Sequence, residues 1–256
     1  MREKIVNALE AEAERHDCRI LFAVESGSRA WGFASPDSDY DVRAVYVKRL
    51  DWYLGLEEAK SDTWEAMLPG DIDLSAWDLR KALRQMLKCN CSLLEWIGSP
   101  IVYVDAGIMS RLAEFGRQAF NPEHAVYHYA SLFRHAIADK DEDGRISVKK
   151  LCYALRANAA ARWVIERKTM PPTGFQDLLA GIKISDALRE AVNAMIRLKS
   201  EAGEKERIVP ASALAELLVD RFGEAGRLKG RSSVESSNDI RVELEREFRS
   251  WIVGRR

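Results

Sequence analysis

The chain has 256 residues, 47% hydrophobic and 31% charged, with 39 Lys and Arg against 40 Asp and Glu, a formal net charge of −1. That length allows one large or two modest domains whose core needs no disulfide staples, and the composition is not that of a disordered, collagen-like or disulfide-rich chain. The charge balance excludes a globally basic nucleic-acid binder but leaves room for a local basic groove.

No uninterrupted apolar run exceeds about five residues, against the ~20 that a spanning helix needs. Met1 to Asp17 is charged and amphipathic, without the apolar centre of a signal peptide. No membrane partner is expected. Cys18, Cys89, Cys91 and Cys152 suit reduced thiols and a cytoplasmic location.

Residues 3–16 read as an amphipathic helix with Ile5, Val6 and Leu9 on one face. Arg19 to Val24 is short, apolar and followed by Gly and Ser, the pattern of a buried strand. Alternation predicts a second strand over 39–47 and a third over 71–77, with 49–70 in part a connector. A helix is expected over 79–88. Ser92 to Glu95 fits a capping box, and 101–104 an edge strand. From about Gly107 the pattern turns helical only. Asn121-Pro122 caps a helix reaching about Asp139, and a second long helix over 148–168 is stopped by Pro171-Pro172. Thr173 to Gln176 is another capping box. Further helices are expected over 184–200, 211–222 and 234–253, with a Gly/Ser-rich loop over 223–237. The expected fold class is α+β: a catalytic domain over 1–106 with a mixed sheet and flanking helices, then an all-helical domain over 107–256.

The densest chemical signal is Glu25-Ser-Gly27-Ser28-Arg29-Ala-Trp31-Gly32, followed by Asp37-Ser-Asp39-Tyr-Asp41-Val-Arg43. A buried strand ends at Gly27 and the chain turns into a short helix at Ser28. Gly27 lets the backbone approach a ligand closely, and fresh helix N–H groups with the Ser28 hydroxyl make a phosphate seat. Asp39 and Asp41 share a strand face because the side-chain period is two. Paired carboxylates repel and call for a cation between them, and hard oxygen ligands favour Mg²⁺ or Mn²⁺. Arg43 falls on the same face, where it can neutralise the pair or touch a phosphate. A third carboxylate would complete a two-metal site. Asp71 and Asp73 both qualify, and Asp73, nearer the apolar run Leu74 to Leu79, is favoured.

The stretches ESGSRAWGFASPDSDYDVR and DLSAWDLRKALRQMLKCNCSLLEWIGSPIVY resemble the predicted nucleotidyltransferases of the polymerase-β-like superfamily. Within it, they are similar to the group named for association with an RNA ligase in RNA repair (RlaP, or YcgL-like). The resemblance covers most of 19–104 and continues less tightly through VKKLCYALRANAAARWVIE. After about residue 169 no motif carries over. The resemblance implies that Gly27 and Ser28 hold a nucleoside triphosphate such as ATP, that Asp39 and Asp41 bind two metal ions, and that Asp73 is the third carboxylate. It implies transfer of NMP to a hydroxyl, an RNA 3′ end among the candidates, with an RNA ligase in the same pathway. Nucleotidylation of a protein or small molecule stays open, as does a nucleotide- or RNA-binding module without transfer.

Between Arg145 and Lys168 stand seven basic residues (Arg145, Lys149, Lys150, Arg156, Arg162, Arg167, Lys168) and one acid, Glu166. Lys149, Tyr153 and Arg156 share a helix face. Together with Lys150 they are expected to clamp the triphosphate or RNA end across a cleft, with Tyr153 either stacking on a base or lying in the core. Asp139 to Ile146 resembles the start of an EF-hand loop, but Lys150 takes the place of the bidentate Glu, so calcium is not expected. Cys89 and Cys91 lack a matching Cys/His pair for zinc. His124, His128 and His135 share one helix as ordinary surface or packed residues.

Overall fold

Period-two alternation builds the sheet. Val42, Ala44 and Tyr46 of β2 (Tyr40–Lys48) are buried on one face with Ile72, Leu74 and Ala76 of β4 (Ile72–Asp78). Ile5 and Leu9 of α1 (Arg2–Arg15) close that face, each side chain contributing about 2 kcal/mol through burial. The same alternation turns Asp41, Arg43, Asp73 and Ser75 to the opposite face. In the computed structural model, residues 1–56, 61–201, 206–220, 222 and 234–253 are described.

With β1 (Cys18–Glu25), β3 (Thr63–Leu68) and β5 (Val102–Asp105), these strands form a sheet ordered β3-β4-β2-β1-β5. β2 and β4 run parallel; every other pairing is antiparallel. The fold is α+β, as expected. Part of the expected connector over 49–70 is instead a short helix, α3 (Leu50–Leu54), and the edge strand β3. In β3 only Trp64 is buried, so its alternation is faint in the sequence.

Asp78 caps α4 (Leu79–Leu87) by accepting the Arg80 N–H at 2.8 Å. The next helix, α5 (Cys91–Ile97), is capped by Asn90, which accepts the Leu93 N–H at 3.0 Å, so the expected cap at Ser92 falls two residues too late. α6 spans Met109–Ala119. Asn121 caps α7 (Pro122–Ile137), and Ser147 caps α8 (Val148–Arg167). α9 (Phe175–Gly181) starts from Gly174 rather than from a capping box at Thr173; Thr173 is buried, and its carbonyl accepts a bond from Arg156. α10 spans Asp186–Glu201 and α11 spans Val234–Val253. The expected helix over 211–222 is a 3₁₀ stretch over Ser212–Leu218. A two-residue ladder, β6 (Ile146–Ser147) with β7 (Arg207–Ile208), interrupts the helical-only pattern. The expected loop over 223–237 lies, for residues 223–233, outside the described residues. No described helix is long and apolar enough to cross a membrane.

The chain forms two compact units, one of Met1–Gly27, Asp39–Ala119 and Ser232–Arg256, the other of Ser28–Ser38 and Phe120–Arg231. A single cut near residue 106 does not describe them. α6 packs with α4 and α5, and α11 returns to the sheet unit, where Phe248 meets Tyr53 and the Arg19 guanidinium lies over Trp251. The loop after Gly27 belongs to the helical unit, because Trp31 and Phe33 pack on Tyr153 and Phe33 on Phe175.

Candidate active site

β1 delivers the chain to Gly27, which has φ +60°, a conformation that costs an L side chain roughly 1–2 kcal/mol. A Cβ there would fall 2.0 Å from Asp41 Oδ2. Glycine is therefore required twice, for the turn and for the close approach of the carboxylate. Ser26 N–H donates to the Asp41 carbonyl at 2.8 Å, and Asp41 N–H donates to Glu25 Oε1 at 2.8 Å. Glu25 is fully buried. Its second carboxylate oxygen accepts the Tyr103 hydroxyl, and its carbonyl accepts the Ser99 hydroxyl at 2.6 Å. Residue spacing pointed to Gly27 and Asp41 but missed Glu25 and Tyr103, which meet only through the pairing of β1 with β5.

Asp41 and Asp73 stand opposite each other at one register position of the β2–β4 pair. Arg43 joins them: its Nη2 donates to Asp41 Oδ1 at 3.1 Å and to Asp73 Oδ2 at 2.8 Å. Its Nη1 donates to the Asp73 carbonyl at 2.8 Å and the Val42 carbonyl at 3.0 Å. Asp39 is exposed and stands one residue ahead of β2. Asp71 has φ +58°, and its carbonyl accepts the Tyr40 N–H at 2.7 Å. It shapes the turn into β4, which leaves Asp73 as the carboxylate in register with Asp41.

Ser28 is buried in α2 (Gly27–Trp31), and its carbonyl accepts the Phe33 N–H at 3.0 Å. The loop from there to Asp39 is tied within its own unit. Arg29 donates to the Ser38 carbonyl at 2.5 Å, and the Ser35 and Ser38 hydroxyls lie 2.8 Å apart. Lys199 of α10, fully buried, donates to both hydroxyls at 3.3 and 3.4 Å. Nothing in the sequence around Lys199 signals this contact.

The basic run on α8 is largely consumed by the fold. Arg156, expected to clamp the triphosphate or RNA end, is 2% exposed: it donates to the Thr173 carbonyl at 3.2 Å, and its guanidinium lies 4.3 Å from the Trp31 ring centroid. Arg162 pairs with Glu216 at 2.7 Å, and Arg167 donates to the Gly181 carbonyl at 2.7 Å. Tyr153 packs edge-on against Trp31, with centroids 5.0 Å apart. Lys149 and Lys150 are half-buried in the first turn of α8.

In the stretch resembling an EF-hand, Asp139 accepts from the Ser147 N–H and from Arg207, and Asp141 accepts from the Arg145 N–H, so these carboxylates hold β6 and β7 together. Burial pushes the Cys18 thiol up to about 11 and the Cys152 thiol up to about 12, which makes both poor nucleophiles at neutral pH. Among the described residues no three His, Cys, Asp or Glu side chains gather as a metal-ligand group. The Asp41–Asp73 pair has the hard oxygen donors that Mg²⁺ or Mn²⁺ prefers, yet it converges on a guanidinium.

A mixed sheet whose first strand ends in a Gly-Ser turn against an Asp-x-Asp strand, with a third aspartate in register on the next strand, defines a polymerase-β-like architecture. Residues 1–249 match the family described as RlaP: RNA repair pathway DNA polymerase beta family, and the chain belongs to it. The chain is also 35% identical, over 259 aligned positions and 99% of both chains, to "Uncharacterized protein YcgL" of Bacillus subtilis (strain 168).

Proposed function

We propose that the chain is a metal-dependent nucleotidyltransferase, moving a nucleoside monophosphate from an NTP to a hydroxyl acceptor, an RNA 3′ end in RNA repair, with release of pyrophosphate. One observation carries this reading. The side-chain-free turn at Gly27 lies directly against Asp41, and Asp73 stands in register beside Asp41. Polyphosphate needs close backbone approach, and a transfer centre needs carboxylates beside it. The family's description, which names an RNA repair pathway, supports the choice of acceptor and an RNA ligase as a pathway partner. The four free cysteines support a cytoplasmic setting.

In the reaction the acceptor oxygen attacks the α-phosphorus in line. A new P–O bond forms as the bond to the β-phosphate oxygen breaks, so catalysis is mostly positioning and charge neutralisation. Gly27 brings main-chain N–H groups to the phosphates, and the Ser28 hydroxyl adds a donor. Asp39, Asp41 and Asp73 would supply oxygen ligands for two Mg²⁺ or Mn²⁺ ions, which when bound would lower the pKa of the attacking hydroxyl and offset polyphosphate charge. Asp73 orients the acceptor hydroxyl or takes its proton. Within the helical unit Lys149 and Lys150 offer positive charge in the first turn of α8, and Arg156 and Tyr153 pack against Trp31.

The test is incubation with each common NTP labelled at the α-phosphate, Mg²⁺ or Mn²⁺, and three acceptors: RNA with a 3′ hydroxyl, a protein extract, and small alcohols and amines. Label on RNA that disappears in Asp41→Asn and Asp73→Asn but survives Asp71→Asn is the expected result. Label on protein or a small molecule instead would move the acceptor, and nucleotide binding without any transfer would refute the enzyme.

A further inference from the structure

Two carboxylates at one register position of adjacent strands, neither fully solvated, repel each other. Here Arg43 bridges them. Its guanidinium is no loose surface arm: the side chain is 18% exposed, against 27% for Asp41 and 35% for Asp73. One nitrogen bridges both carboxylates, and the other is anchored on two main-chain carbonyls of the sheet. The site as built is an ion-paired triad rather than a gathered ligand cage.

We propose that Arg43 is a resident counter-ion that stands in for a divalent cation between Asp41 and Asp73, weakening the site for free metal and making metal loading depend on the polyphosphate. The proposal rests on the nucleotidyltransferase reading above. Asp41 and Asp73 bring two negative charges and Arg43 returns one, which leaves one. A single divalent ion must compete with the guanidinium for both carboxylates. Two such ions would overcompensate the site until the negative triphosphate enters with them. Metal and nucleotide should therefore bind with positive coupling, each tightening the other by the same factor. A fixed cation also keeps the apo pair from splaying apart, so the oxygen donors are already placed when the nucleotide comes.

The experiment is titration with Mn²⁺, following free Mn²⁺ by electron paramagnetic resonance, with and without a non-hydrolysable NTP. It compares the wild type with Arg43→Gln and Arg43→Lys, each checked for folding by a circular-dichroism melt. Arg43→Gln should bind free Mn²⁺ roughly tenfold more tightly than the wild type, with the tightening by nucleotide largely lost. Arg43→Lys keeps the charge and should keep the weak affinity for free metal. Equal or weaker Mn²⁺ binding by Arg43→Gln overturns the proposal, as does a gain by Arg43→Lys as large as that of Arg43→Gln. Should Arg43→Gln fail to fold, the wild type decides: Mn²⁺ binding that is as tight without nucleotide as with it overturns the proposal. A wild type that transfers nucleotide while Arg43→Gln binds Mn²⁺ no more tightly sinks only the role of Arg43. A wild type that binds no Mn²⁺ with or without nucleotide sinks the metal-dependent reading as well.

Discussion

Glu25 Oε1 accepts the main-chain N–H of Asp41 at 2.8 Å, so a fully buried carboxylate at the end of β1 fixes the start of β2. The Tyr103 hydroxyl satisfies the other oxygen. Glu25→Ala removes both partners at once and leaves a half-buried N–H and hydroxyl unmet, an expected cost of about 3 kcal/mol. Glu25→Gln keeps an acceptor for Asp41 and should cost about 1 kcal/mol. Transfer should fall in the same order, because the backbone of Asp41 loses its anchor. Denaturant melts with initial rates on the same preparations check both. A fully active, fully stable Glu25→Ala would leave the network without a purpose.

Gly27 permits no side chain. Its φ of +60° and the 2.0 Å approach to Asp41 Oδ2 mean that Gly27→Val must move the turn, the carboxylate or both. NTP binding is expected to fall by at least about tenfold, as backbone approach to the phosphates is blocked. Ser28→Ala should lose one hydrogen bond, about 1 kcal/mol. Titration with a non-hydrolysable NTP separates the two. Normal binding by Gly27→Val would reduce the motif to an ordinary turn.

The carboxylate face was legible because it lies on central strands where local pattern and tertiary pairing agree. Period two put Asp41, Arg43 and Asp73 on one sheet face, where Arg43 bridges the two carboxylates. Asp39 stands one residue ahead of β2, where the strand's period no longer fixes a face. The sign imbalance on α8 suggested a solvent-facing clamp, but Arg156, Arg162 and Arg167 spend their guanidinium groups on Thr173, Glu216 and Gly181 of the same unit. Charge in a sequence does not reveal which carbonyls a fold will turn toward it. Glu25 with Tyr103, and Lys199 with Ser35 and Ser38, are contacts 78, 164 and 161 positions apart. Spacing rules do not reach that far.

His16 follows α1 and stacks on Trp64, with ring centroids 4.6 Å apart and planes within 8°. Burial lowers its pKa below the ordinary 6.5, while Glu12 opposes the shift. Between the folded value and 6.5 the unfolded chain binds more protons than the folded one, so stability rises with pH through that window. The contribution is full above 6.5 and is lost as pH falls through the folded value. Melting temperatures should therefore drop on acidification across this window, and His16→Gln should flatten that part of the profile. An identical profile in the variant would place the dependence elsewhere.

Lys150 and Arg156 lie on one helix, and the structure now separates them. Lys150 is half-buried in the first turn of α8, whereas Arg156 is buried over the Trp31 ring with a bond to the Thr173 carbonyl. Lys150→Glu should leave the melting temperature nearly unchanged, raise the KM for NTP or RNA, and flatten its salt dependence, since each neutralised phosphate releases counterions. Arg156→Glu puts a buried carboxylate against a carbonyl and an aromatic face, and should cost about 4 kcal/mol of stability. Its kinetic loss should then track unfolding rather than ionic strength. Melts and steady-state kinetics at two salt concentrations distinguish the two variants. If Arg156→Glu melts like the wild type and changes only the salt slope, Arg156 belongs to the ligand rather than to the packing beneath Trp31. If Lys150→Glu changes neither KM nor slope, α8 contributes no cation to the bound anion, and recognition of polyphosphate rests with the turn at Gly27 and the carboxylate face beside it.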